Sequence, residues 1–171
     1  MANSLKIVSG GQTGADRAAL DWAIAHQVPH GGWCPRGRKA EDGVINPRYN
    51  LTETPSDEYS QRTEWNVRDS DGTVIFSIAQ KLFAGTLLTA QLAQKYQKPC
   101  IHICKELTHI NPVSELLLFI LNYKIVTLNV AETRASDEPD VYQFVKITFE
   151  EAIFYKKNNY NHVLRYKMKI K

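Results

Sequence analysis

The chain has no long apolar run. Its longest, Leu116 to Leu121, is six residues, against the ~20 needed to span a membrane. Cysteine is scarce. Cys34, Cys100 and Cys104 are an odd set without framework spacing, which excludes a disulfide scaffold and points to reduced thiols in the cytoplasm. No secretory leader is expected, because Met1 to Lys6 run directly into the first apolar strand. No internal repeat or low-complexity segment occurs. A Walker A sequence is missing, since no Gly-Lys-Ser/Thr follows the glycine-rich loop, and the strict G-x-G-x-x-G dinucleotide spacing is missing too. The histidines (His26, His30, His102, His109 and His162) are scattered, and no Ser/His/Asp nucleophile pattern forms around them. A basic body is also lacking. The net charge is +3, but residues 155–171 hold six basic and no acidic residues, so the first 154 residues carry a net −3. That balance argues against a nucleic-acid partner.

What remains is an ordinary globular composition: 171 residues, 43% hydrophobic and 23% charged, enough for one domain with a sizeable core. Apolar runs alternate between strand and helix patterns. Strands are expected at Lys6–Ser9, within 27–33, at Thr73–Ile78, Cys100–Cys104 and Ile125–Val130. Helices are expected at Ala15–His26, Thr63–Asp71, from Gly85 to Pro99, from Pro112 to about Asn122 and at Val141–Lys156. Cys34 to Glu64 shows no period, and a loop of that length inside a compact domain is usually functional. The alternation predicts an α/β, Rossmann-like three-layer sandwich over residues 1–155, with a mainly parallel central sheet and helices on both faces. Residues 156–171 form a basic tail in which Leu164, Tyr166, Met168 and Ile170 alternate with Arg165, Lys167, Lys169 and Lys171.

Ligands of such folds bind beyond the carboxyl ends of the strands, so the loops there hold the candidate site. The first is Gly10-Gly11-Gln12-Thr13-Gly14, followed by Asp16 and Arg17 at a helix start. It reads either as a plain tight turn or as an anion site built from backbone N–H groups and the positive end of a helix dipole. The second carries Arg36 and Arg38. The third, Ala84-Gly85-Thr86, opens another helix. The fifth runs from Asn129 through Arg134 to Ser136. If loops one and three leave adjacent strands, two helix N-termini face one cleft, which suits a phosphate-bearing ligand or an oxyanion.

Six of the eight arginines lie in the first seventy residues, interleaved with nine carboxylates. They read equally as guanidinium forks for an anion or as a loop that pairs with itself. Asp16 and Asp69 are the acid/base candidates by position. Cys34 reads as a packed loop cysteine or, beside Arg36 and Arg38, as a thiol of lowered pKa. Cys100, His102 and Cys104 share one strand face but lack a fourth ligand, so no metal site is assigned.

Ser9–Asp21, Gly31–Arg38, Ala40–Gly43, Tyr49–Pro55 and Gln61–Thr73 together resemble the molybdenum cofactor carrier family over roughly residues 5–145. The resemblance implies a Rossmann-like superfamily that also holds lysine-decarboxylase-like phosphoribohydrolases and nucleotide-sensing domains. It implies a cytoplasmic, non-catalytic carrier for molybdenum cofactor or a similar phosphate-bearing ligand, assembled as a homo-oligomer (dimer or tetramer) and serving molybdoenzymes. The alternative on the same fold is a nucleotide sensor or a phosphoribohydrolase-like enzyme. Two departures stand out. Ala84 replaces the first glycine of the family's Gly-Gly-Thr loop, and Glu132-Thr133 replace Gly-Pro in its Ala-Gly-Pro-Arg-Ala-Ser loop. Gln91 supplies no carboxylate where the phosphoribohydrolases carry a glutamate.

Overall fold

The computed structural model describes residues 5–81, 84–107, 111–131 and 134–158. The expectations for Glu132, Thr133 and the basic tail beyond Asn158 therefore lie outside the described residues.

Strand β1 (Lys6–Val8) leads into α1 (Ala15–Ala25). The expected second strand is two. β2 (His30–Gly31) ends at Gly32, and β3 (Trp33–Cys34) begins a different sheet. Gly32 makes the break at φ +127°, where a Cβ would lie 2.2 Å from the Ser9 carbonyl oxygen; only glycine permits both. The segment without a period contains a single 3-10 turn at Arg36–Arg38, β4 (Lys39–Ala40), β5 (Gly43–Val44) and β6 (Thr52–Glu53). β4 and β5 form a hairpin, and β3 pairs with β6.

Helix α2 (Tyr59–Arg68) starts four residues earlier than expected. β7 (Gly72–Ser77), α3 (Ala84–Lys95), β8 (Cys100–Cys104), α4 (Pro112–Asn122), β9 (Thr127–Ala131) and α5 (Val141–Asn158) follow. The Asn111 side chain accepts from the N–H groups of Val113 and Ser114 (2.9 and 3.2 Å), and Pro112 opens the first turn of α4. Helices α1, α3 and α4 stop at Gln27, Gln97 and Lys124, each at positive φ. The next N–H reaches back to Ala23, Ala93 and Ile120 respectively, a Schellman closure made without glycine.

The central sheet is parallel throughout, in the order β2-β1-β9-β7-β8. Every residue of β7 is buried, as befits a strand covered on both faces. On one face α1, α4 and α5 enclose the main core around Ile7, Phe76, Leu128 and Phe149, while Val67 of α2 packs with Leu92 and Ala93 of α3 in a separate cluster. β9 lies between β1 and β7, so loops one and three do not leave adjacent strands. The last strand takes the centre. Counted from β9 and continued through β1, the order becomes 3-2-1-4-5, five of the six strands of a Rossmann sheet. The topology is that of a Rossmann unit whose first strand has moved to the chain's end. Among the described residues, no helix is long and apolar enough to cross a membrane.

Candidate functional site

A cavity of about 390 Å³ opens at the carboxyl end of β9, where the sheet order reverses. Its floor is Asn129, Val130 and Ala131, the last residues of β9. α3 adds Gly85, Thr86 and Thr89, and the segment after β9 adds Arg134 and Asp137. α2 supplies Tyr59, Arg62, Thr63 and Asn66, whose i, i+3, i+4, i+7 spacing puts them on one helical face.

Three cations from three segments meet on the Tyr59 ring. Its centroid lies 5.0 Å from Arg134 Cζ, 5.6 Å from Lys39 Nζ and 5.9 Å from Arg62 Cζ. Arg36 and Lys39 both lean on Asp57 at 3.8 Å. Arg134 has no ion-pair partner among the described residues. Among the described residues this lip sets Arg36, Lys39, Arg62 and Arg134 against Asp16, Asp57 and Asp137.

Beneath the cavity Arg62 donates to Asp16 Oδ2 at 3.3 Å, with side-chain exposures of only 6% and 0%. Burial pushes the Asp16 carboxyl above its usual range, against the opposing pull of Arg62 and of hydrogen bonds from Ser9 and the Gln12 and Gly10 backbone. Gly10 is required by this pair: a Cβ there would lie 2.1 Å from Arg62 Nη1 and 2.9 Å from Asp16 Oδ2. Asp16 is thus a buried counter-ion rather than an exposed acid/base group. Asp69 is held below its ordinary range by Arg68, with Trp33 Nε1 donating to it at 2.9 Å.

The first loop already holds carboxylates of its own chain. The Gln12 N–H donates to Asp16 (3.2 Å), and Gln12 Oε1 accepts from the N–H groups of Thr13 and Glu41 (3.1 and 2.8 Å). The Thr13 hydroxyl meets Glu41, and so do the Ser136 N–H and hydroxyl, at 3.3 and 2.6 Å. Arg17 grips Asp42 through both terminal nitrogens (2.7 and 2.9 Å) and donates to the Gly11 carbonyl. Gly14, at φ 80°, ends the turn as the N-cap of α1.

The candidate residues thus divide. Gly85, Thr86, Asn129 and Arg134 share the cavity. Gln12, Thr13, Arg17 and Ser136 gather around the Glu41–Asp42 turn. Arg38 belongs to neither group: its guanidinium donates to the carbonyls of Ile45, Asn46, Tyr49 and Leu51 (2.9–3.1 Å) and organises the loop instead. Arg36 is two-thirds exposed. With Arg17 on Asp42, Arg48 on Asp21 and Arg68 on Asp69, the self-paired reading of the early arginines prevails over the ligand-fork reading. Cys34 is fully buried, and burial raises its thiol despite Arg38, which agrees with the packed-cysteine reading and not with the alternative of a lowered pKa. His102 bonds Ser77 Oγ at 2.6 Å, and Cys104 donates to the Ile78 carbonyl.

The family model for the circularly permutated YpsA SLOG family matches residues 7–153. The chain belongs to that family. The chain is also similar to a solved structure from Syntrophus aciditrophicus, named as a putative molybdenum carrier protein. The two are 45% identical with a TM-score of 0.83, over 88% of this chain and 96% of that one. No curated protein matches the chain. SLOG proteins are Rossmann-like, so family and sheet order agree on the fold and on the resemblance drawn from the sequence.

Sequence reasoning missed Tyr59, Thr89, Asp137 and Glu41 as members of the site. The polar stripe Tyr59, Arg62, Thr63 and Asn66 was the available signal, but a polar stripe at helical spacing normally marks a solvated face.

Proposed function

We propose that this protein is a non-catalytic carrier for molybdenum cofactor or a similar phosphate-bearing anionic ligand, held in the cavity at the end of β9. The observation that carries the reading is the convergence of Arg134, Lys39 and Arg62 on Tyr59 at the cavity's lip. Guanidinium forks suit phosphate, and the first turn of α3 adds the positive end of a helix dipole beside Thr86. The cavity's ~390 Å³ falls in the roughly 300–1,000 Å³ range of small-molecule sites.

The residues fit such a cargo through its phosphate and heterocycle rather than its metal. Among the described lining residues there is no cysteine or histidine, and Asp137 is the one carboxylate. That lining supplies anchors and hydroxyls, which favours holding over turnover. The relative's name supports the same class of ligand. A homo-oligomer in the cytoplasm that hands its cargo to molybdoenzymes completes the proposal.

Native mass spectrometry with isolated cofactor tests it. One cofactor per chain is expected, lost in Arg134→Ala. Retention of a nucleotide instead, with no pterin bound, replaces the carrier reading with the nucleotide sensor.

A further inference from the structure

The β4–β5 hairpin is fixed to the first loop in an unusual manner. Its turn, Glu41-Asp42, is exposed, as is Val44 at 76%, so apolar contact is confined to the buried Ala40 and Ile45 on either side and little of it holds the tip itself. Polar contacts hold it instead. Glu41 sits between loops one and five, bonded by the Thr13 hydroxyl and by the Ser136 N–H and hydroxyl. Asp42 takes both terminal nitrogens of Arg17. These loops leave β1 and β9, which are neighbours in the sheet. Arg134, which lines the cavity, acts electrostatically on Glu41 as well.

A second observation points to a ligand at this place. Gln12 is 1% exposed, and its Nε2 has no hydrogen-bond partner among the described residues. Its orientation is fixed, because Oε1 already accepts from the Thr13 and Glu41 N–H groups; a flipped amide would set donor against donor. A buried donor is therefore left over beside a seat that already contains a carboxylate.

We propose that the seat formed by Gln12, Thr13 and Ser136 binds an oxyanion of the phosphate class, and that the Glu41–Asp42 turn is an internal stand-in that competes with it. The hairpin is then an autoinhibitory latch. An incoming phosphate group takes the Thr13 and Ser136 donors, gains Gln12 Nε2 and displaces the turn, leaving Arg17 free to face the anion. The inference rests on the carrier reading only for the rest of the ligand, which would reach the adjoining cavity past Arg134.

The test uses inorganic phosphate, followed by calorimetric titration and by hydrogen exchange over residues 39–44. In the unmodified protein, phosphate should raise exchange in that segment. In E41Q/D42N the segment should exchange fast without phosphate, and the phosphate Kd should fall about tenfold, because the competent state is no longer a minor one. Ser136→Ala frees the hairpin but damages the seat, so exchange should rise without any gain in phosphate affinity. The latch is overturned if phosphate leaves exchange at 39–44 unchanged, or if E41Q/D42N binds phosphate no more tightly than the unmodified protein. Failure of the carrier reading looks different: phosphate opens the hairpin as described, yet isolated cofactor does not bind.

Discussion

Replacing Arg62 with methionine probes the joint between fold and site. Methionine keeps the length and apolar stem but removes the charge. The pair Arg62–Asp16 is almost wholly buried. Removing one partner of such a pair typically costs about 3–5 kcal/mol, because the other charge is left uncompensated. Asp16 can escape part of that cost by taking a proton. Its folded carboxyl already titrates above the ordinary 3.8, and without Arg62 it titrates higher still. A raised acid destabilises the fold progressively as pH climbs from the unfolded value to the folded one, by about 1.4 kcal/mol per pH unit. The cost of Arg62→Met should therefore be least at low pH, where Asp16 is protonated, and should grow as pH rises and the raised Asp16 carboxyl ionises. For a chain of this size the full cost is a fall of roughly 6–20 °C in Tm. Thermal unfolding followed by circular dichroism at several pH values measures this, and adding Asp16→Asn should remove most of the pH dependence. A loss below about 1 kcal/mol at pH 8, or a loss that ignores pH, would refute the reasoning.

Gly10→Ala should act through the same pair, since its Cβ would displace Arg62; a loss of about 1–3 kcal/mol in urea unfolding is expected for such overpacking. Arg134→Ala should lower Tm by only about 1–4 °C, the cost of its cation–π contact with Tyr59, while abolishing cofactor binding by calorimetry. In a native thiol titration Cys34 and Cys104, both buried, should stay unmodified until denaturant is added, and Cys100 should react alone. The hairpin latch should also depend on pH. Burial disfavours ionised Glu41, but the Ser136 and Thr13 hydrogen bonds and Arg134 outweigh it, and Arg17 lowers Asp42. Acids lowered by their native contacts stabilise the hairpin above their ordinary values, 4.5 and 3.8. That stability is lost as pH falls through the lowered values, so a carboxyl shift titration should show the turn released only below about pH 4.

The parts of the fold legible in the sequence are those whose signal is local. β8 and α4 coincide with their expected ranges, one as an apolar run and the other between an Asn-Pro start and Asn122. The 34–64 segment was not legible, because its two-residue strands carry no period. Arg38 gathers four carbonyls there, a tertiary arrangement that spacing does not encode. The position of β9 was hidden for another reason: a strand buried on both faces reads the same wherever it pairs. Within the site, Gly85, Thr86, Asn129 and Arg134 follow from strand ends alone. Tyr59 does not, because its role depends on Lys39, Arg62 and Arg134 converging from three segments. The first loop's contacts with the chain's own Glu41 and Asp42, through Thr13 and Arg17, are tertiary and were not legible in its glycine spacing.

The most direct measurement of the central claim is a map of backbone amide shifts as isolated molybdenum cofactor is added. Shifts are expected to centre on Gly85, Thr86, Ala131 and Arg134, the residues around the cavity at the end of β9. Binding that leaves those amides unmoved and perturbs another face of the sheet would contradict it, as would no binding at all.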